Sequence, residues 1–411
     1  MFLDMSPLLK NSKFRLLFLA QLISSFGSQM TIITIPFQIY QLTNSILLTG
    51  LVGAVELVTL VLTALYGGVL SDHYDRKKII MISELFMTLC VVFLAFNAMR
   101  EEPNLYCIFV GAGLISGFNG LHRPAMEALL PAIVSRDQLE AVSSLSPLRT
   151  IVSAILGPSL AGLLIARFGP AWALFIDAST FAVSLLLISC VSQPPKVKTE
   201  AKVALSFWTD IKGGVSYLIR RRDILGTYLI DFSAMVCASP QVLMPHIAQQ
   251  FAADSSLGLL YASSSAGAFF AAIFSRWTSQ VDRHGQAIAW AAVAWATCIA
   301  CIAWAPGIYT IMILLFFAGA FDMISGIFRM TIWNKTIPPS VRGRMASFEM
   351  LSYASGPLLG QLFIGSLASL FGYKQALFLG AVLAVLLIAV ACFFLREFIK
   401  YRDSKFVPLE E

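Results

Sequence analysis

Apolar stretches of about twenty residues follow one another along this chain, separated by short polar turns. At 1.5 Å per residue, twenty such residues cross roughly 30 Å of hydrocarbon, so each stretch reads as a membrane-spanning helix. The pattern predicts twelve spans, near 14–40, 46–70, 78–99, 105–131, 141–167, 171–191, 223–250, 256–279, 286–305, 308–334, 345–371 and 373–396. One longer polar interval runs from Gln193 to about Arg222. It opens with Pro194-Pro195 and is lysine-rich. It then turns amphipathic through Leu205, Phe207, Trp208, Ile211, Val215, Tyr217 and Leu218, and closes on Arg220-Arg221-Arg222. This predicts an interfacial helix tethering two bundles. The expected organisation is a bundle of six helices at 1–192, a cytoplasmic linker at 193–222, a second six-helix bundle at 223–396 and a cytoplasmic tail at 397–411.

Composition agrees. Apolar residues make up 58% of the 411, charged residues 13%, and the mean hydropathy is +0.78. Soluble domains carry roughly 45–50% apolar and about 25% charged residues. The fold class is therefore an all-α polytopic membrane protein. The net charge of +6 does not make a nucleic-acid binder, because its distribution is an orientation signal. Most of the 29 cations fall in alternate loops, among them Lys10, Lys13, Arg76, Lys77, Lys78, Arg136, Arg283, Arg342, Arg344 and Lys400, whereas the opposite loops hold Arg100, Arg167 and Lys374. Lys and Arg accumulate on the cytoplasmic side, which places both termini there. The seven cysteines all lie in apolar segments and read as small apolar residues, Cys298-x-x-Cys301 included. The first apolar run, from about Phe14, is too long for the core of a cleavable leader. His73, His122, His246 and His284 have no metal-ligand spacing, and no nucleophile–base set faces water, so neither a metal, a cofactor nor an enzyme is expected.

The halves repeat. Asp75-Arg76 recurs as Asp282-Arg283 and Pro131 as Pro338 at the same offset, and Gly157-Pro158 recurs as Gly356-Pro357. Between spans two and three stands Gly67-Gly68-Val69-Leu70-Ser71-Asp72-His73-Tyr74-Asp75-Arg76-Lys77-Lys78. It resembles the signature loop of the major facilitator superfamily of secondary transporters. The resemblance implies two pseudo-symmetric six-helix bundles that rock between two states. It also implies a cytoplasmic gate built from Gly68, Asp72, Asp75, Arg76, Lys77, Arg342 and Arg344. Asp72 would sit against the partly positive start of helix eleven, and Arg76 and Arg344 would add ion pairs.

Ionisable groups at membrane depth are costly and mark cavities or each other. Span one carries Gln21, Ser25, Ser28 and Gln29. Span two carries Glu56, Thr59 and Thr63. Span four carries Arg123 and Glu127, one turn apart and able to neutralise each other. Span ten carries Asp322, Ser325 and Arg329 on one stripe, and span eleven carries Glu349 and Tyr353. Span seven has Asp231 and span six Asp177. Glu56 and Asp322 lie deep, with no cation within one turn of their own helix, and with Asp231 they are the candidates for coupling to a proton. Gln29, Arg123, Glu127, Arg329 and Tyr353 are the candidates for the substrate cavity. An arginine pair, Arg123 and Arg329, would suit an anionic cargo.

In span five, Gly157, Pro158 and Gly162 match an exporter motif of the superfamily, with Ser153 and Ala161 replacing two of its glycines. The stretches 124–139 and 337–344 resemble the bacterial enterobactin-exporter-like branch, which handles siderophores and macrolides. What this resemblance implies is a proton-coupled exporter of a siderophore-like, amphiphilic or anionic small molecule. It would act as a monomer in the bilayer of the bacterial inner membrane, with the proton gradient as its energy source and an outer-membrane efflux partner allowed. The rival readings are a broad multidrug exporter, an importer and a non-transporting membrane sensor.

Overall fold

The computed structural model describes residues 6–134, 138–192, 216–251 and 256–402. The amphipathic part of the linker, before residue 216, lies outside the described residues, as does the tail beyond residue 402. Spans one to six are Ser12–Thr43, Ile46–His73, Arg76–Ala98, Leu105–Ile133, Leu139–Phe168 and Pro170–Ser189. Spans nine to twelve are His284–Ile302, Ile308–Thr336, Pro339–Phe371 and Tyr373–Phe394. These ten are long and apolar enough to cross a membrane.

Spans seven and eight differ from expectation. Span seven was expected as one helix over 223–250. Its helix Arg222–Cys237 stops, a 3-10 turn follows at Gln241–Leu243, and a second helix runs Met244–Gln250. Pro240 has no N–H to donate and biases Ser239 away from the helical region, so the chain bends there. Span eight, Leu257–Ile273, ends short of 279, where Ser275–Gln280 winds as 3-10 turns.

Helix starts follow from side-chain caps. Asn11 Oδ1 accepts from the backbone N–H of Lys13 and Phe14, both at 3.1 Å. Ser45 caps span two, Asp75 span three and Asn104 span four in the same way. Each satisfies donors that hydrocarbon would leave bare. Between spans five and six, and again between eleven and twelve, a single glycine both ends one helix and starts the next. Gly169 and Gly372 share φ +86 with ψ 169 and 159, a region essentially closed to other residues.

By contacts the described residues divide into two units: Met1–Lys196 with Leu243–Ala262, and Val197–Val242 with Ser263–Glu411. In the first, span one packs on five and six, span three on four and six, and span two on four. In the second, span seven packs on eleven and twelve, and span nine on ten and twelve. The pairing repeats with a shift of six spans, as the sequence repeat implies. Ile39, Val91, Leu94, Ile108 and Leu174 form the core of the first unit, and Ile224, Ile230, Ile288, Phe328 and Ile332 that of the second. Large apolar side chains such as Val58, Leu89, Phe93, Leu186, Ile313 and Phe393 are exposed and face lipid. Tyr106 and Trp172 in the first unit, and Trp304 and Tyr309 in the second, are exposed at or beside helix ends, where aromatic side chains suit the membrane–water interface.

Gly169 has open space where a side chain would go, so Gly169→Ala tests backbone conformation alone. It is expected to cost about 1–3 kcal/mol, read as a lower midpoint in detergent thermostability with unchanged elution. An unchanged midpoint would show that the turn is not constrained.

Candidate functional site

In the second unit, Asp322, Ser325 and Arg329 share one face of span ten, at one- and two-turn spacing. Asp322 lies mid-helix, about 21 Å from either end at 1.5 Å per residue. The Arg329 guanidinium leans back towards the start of its helix, as helical side chains do. Gly326 leaves that surface bare, and a Cβ there would stand 3.7 Å from Arg329 Nη2. This reach brings Nη2 to 3.9 Å from Asp322 Oδ1, and Nη1 pairs directly with Asp231 Oδ1 on span seven. The pair is clamped one turn closer to the start of span seven and the end of span ten. There Trp333 Nε1 donates to Thr227 Oγ1 at 2.8 Å, and the Trp333 ring stacks on Tyr228 with centroids 4.9 Å apart.

One cation therefore serves two carboxylates. Asp231 and Arg329 are nearly buried, whereas the Asp322 side chain is 46% exposed. Arg329 Nε is buried with no hydrogen-bond partner. Asp231, Asp322, Ser325, Ser239, Trp295 and Pro357 are among the residues lining a cavity of about 80 Å³. With both carboxylates ionised the cluster carries one net negative charge, and one proton on Asp322 makes it neutral. Asp231 and Asp322, read separately from the sequence, are thus parts of one cluster. Arg329, expected to wait for an anionic cargo beside Arg123, is instead engaged by Asp231.

In the first unit Arg123 Nε lies 3.7 Å from Glu127 Oε1, with both side chains partly exposed. Its like-charged neighbour is Arg149 of span five, which bonds Gln21 Oε1 of span one. Gln21 and Arg149 lie about 14–15 Å from the starts of their helices, and Arg123 about 15 Å from the end of its own. Sequence inspection passed over Arg149, although its depth in span five was signal enough. Glu56 is half-buried and its backbone carbonyl accepts from Ser116 at 2.8 Å, tying span two to span four. Asp177 is fully buried and accepts from Thr31 of span one and, at 3.3 Å, from Thr180. Tyr353 is 37% exposed. Glu84 of span three was missed entirely. It is 1% exposed and faces His122 and Ser184.

The exporter motif is a backbone-contact device. A Cβ on Gly157 would stand 2.8 Å from the Phe26 carbonyl and 2.7 Å from Gln29 Cβ. Gly162 lies against Gly258 at the start of span eight so closely that either Cβ would overlap the other helix. Nearby, Tyr40 Oη and His246 Nδ1 are 2.6 Å apart. The signature loop is bolted to its own bundle. Arg76 Nη1 donates to the Ala128 carbonyl at 2.9 Å, and Lys77 Nζ to the carbonyls of Ser189 and Val191 at 2.7 and 2.8 Å. A cation there complements the negative end of span six. Gly68, Asp72, Arg342 and Arg344 lie outside the residues whose side chains are described. Where the linker rejoins the second unit, Asp223 takes a two-pronged bond from Arg221 (3.0 and 2.7 Å) and raises its guanidinium above its ordinary value. Among the described residues, no group of three His, Cys, Asp or Glu could hold a metal ion.

The chain matches the model of the transmembrane secretion effector family over residues 4–409. It belongs to that family. It is a multi-pass exporter of the major facilitator superfamily and not an enzyme. The enterobactin exporters of Salmonella typhimurium and of Shigella boydii serotype 4 are each 26% identical to it, over 90% of this chain and 88% of theirs. Among solved structures, the nucleoside transporter NupG superposes with a TM-score of 0.72 at 15% identity, covering 95% of this chain and all of that one. A bacterial homologue of the lysosomal transporter Spinster, inward-facing and unoccupied, gives 0.73 at 14%, covering 97% and 100%. These two share the fold.

Breaking a buried pair from one side leaves a bare charge, which costs about 3–5 kcal/mol. Asp231→Leu alone is therefore expected to reduce the yield of monodisperse protein sharply, and Asp231→Leu with Arg329→Met to restore much of it. Equal losses in the single and double variants would show that the two charges do not support one another.

Proposed function

We propose that the chain is a proton-coupled secondary active exporter of a siderophore-like, amphiphilic or anionic small molecule, working by alternating access in a bacterial inner membrane. The observation that carries this reading is the cluster of two carboxylates on one arginine beside a cavity at membrane depth. Such a cluster becomes neutral by taking one proton, and a neutral cluster crosses between states at lower electrostatic cost. Asp322 is the exposed member and takes the proton, while Asp231 holds Arg329 in place. Glu56 is the corresponding candidate in the first bundle. The exporter relatives support the outward direction, and the name of their cargo supports the siderophore class. Arg123 and Arg149, set side by side, support an acidic group on that cargo, with Gln29, Glu127 and Tyr353 as further cavity positions.

In this reading the bundles 1–192 and 223–396 rock about the linker 193–222, with both termini and the tail 397–411 in the cytoplasm. Asp72, Asp75, Arg76, Lys77, Arg342 and Arg344, with Gly68, close the cytoplasmic side. The transporter works as a monomer with no cofactor, its cargo passing on to an outer-membrane efflux partner. Each proton contributes about 2.3 kcal/mol per 100 mV of membrane potential.

The test compares metabolites of a deletion strain with those of a complemented strain under iron limitation. One iron chelator is expected to fall outside the deletion strain and accumulate within it, and a protonophore is expected to reproduce the defect. Asp322→Asn should fold normally and fail to complement. Unchanged chelators, with accumulation of unrelated dyes instead, would establish the broad multidrug reading in place of this one. Full complementation by Asp322→Asn would remove that residue from the mechanism.

A further inference from the structure

The first bundle carries an imbalance of charge that points to a ligand. Arg149 of span five, Gln21 of span one and Arg123 of span four each lie about a third of the way along their helices. Packing of span five on span one sets the position of Arg149. Ser153, one turn further on, donates to the Leu22 carbonyl at 3.5 Å, and Gly157, two turns on, admits the Phe26 carbonyl. Positions 149, 153 and 157 share one face of span five, and that face lies on span one. Phe18, Leu130 and Leu145, one or two turns along from Gln21, Arg123 and Arg149, belong to a single apolar cluster. It closes the group on that side.

Arg149 Nη1 donates to Gln21 Oε1, and Arg149 Nε is buried with no hydrogen-bond partner. Among the described residues no carboxylate pairs with Arg149. Its charged neighbour is Arg123, which reaches Glu127 Oε1 at 3.7 Å. Two guanidiniums thus share one carboxylate, and the group carries one net positive charge. A guanidinium at membrane depth with only an amide for support is costly, and one anion removes that cost.

The shape of the guanidinium decides which anion. It grips a carboxylate two-pronged through Nε and Nη2, as Arg221 grips Asp223. In Arg149 the Gln21 amide takes Nη1, on the other side of the fork, and leaves the Nε–Nη2 edge to a ligand. Two oxygens of one planar carboxylate match that edge. The Glu127 side chain is 64% exposed, and an exposed pair of this kind holds weakly. A second carboxylate can therefore take its place on Arg123.

We propose that Arg149 anchors a binding site for a singly charged carboxylate in the first bundle, with Gln21 orienting the guanidinium and Arg123 turning from Glu127 to the ligand. Export of that ligand rests on the transporter reading above, whereas its binding does not.

The probe is benzoate, an aromatic monocarboxylate, and its neutral isostere benzamide is the control. Binding to purified full-length protein in chloride-free detergent is read by saturation-transfer NMR. Benzoate is expected to bind and benzamide not. Arg149→Gln should bind benzoate about tenfold more weakly, and Arg149→Lys, which keeps the charge but loses the fork, should also bind it more weakly. Glu127→Gln removes the internal competitor and should bind it about threefold more tightly, a gain that a merely structural role would not produce. Chloride, with one charge and no second oxygen, should displace benzoate poorly. Equal binding of benzoate and benzamide overturns the proposal, as does unchanged affinity in Arg149→Gln or Glu127→Gln. Full displacement by equimolar chloride overturns the two-pronged assignment. Should Arg149→Gln fail to fold, Glu127→Gln decides. None of these outcomes bears on the exporter reading, which is decided by the chelator outside the cell.

Discussion

Hydrocarbon offers no hydrogen-bond partner, and most of this structure answers that one constraint. Backbone groups are closed by helices whose starts are capped by Asn11, Ser45, Asp75 and Asn104. Buried side chains are closed by one another, Asp177 by Thr31, Trp333 by Thr227 and Arg329 by Asp231. Closure is incomplete at Glu84 Oε2, His122 Nε2 and Arg329 Nε, which are buried with no hydrogen-bond partner.

Because lipid is as apolar as leucine, helices in a bilayer hold together by close packing and not by exclusion of water. This explains why an exporter motif consists of glycines. Gly157 admits the backbone of span one and Gly162 that of span eight, on two faces of one helix. Larger residues at either position would push apart helices that a transporter must bring into contact. The bend at Ser239-Pro240 serves a related end. It lets the Met244–Gln250 segment pack with the first unit while Arg222–Cys237 packs with the second.

The two units use the same pairing of spans but differ in their polar groups. The first carries Glu84–His122, Asp177–Thr31 and two neighbouring arginines. The second carries a single arginine between two aspartates. One scaffold, repeated, thus carries unlike polar contents in its two units.

The sequence by itself determined the twelve spans, their repeat, the superfamily loop and the depth of Asp231, Asp322 and Arg329. Each of these is written in local hydropathy, spacing or a contiguous motif, and lipid enforces that code strictly. It did not reveal that Arg329 joins Asp231 to Asp322, that Arg149 stands beside Arg123, or that Glu84 faces His122 and Ser184. It also read the break in span seven as continuous helix, since a mid-span proline is often tolerated, as Pro36 and Pro357 are here. Those facts join residues on different helices. Helical periodicity orders the faces of one helix but says nothing of how far that helix is turned towards its neighbours, and packing alone decides the rotation that turns a buried carboxylate to a histidine, a serine or a guanidinium.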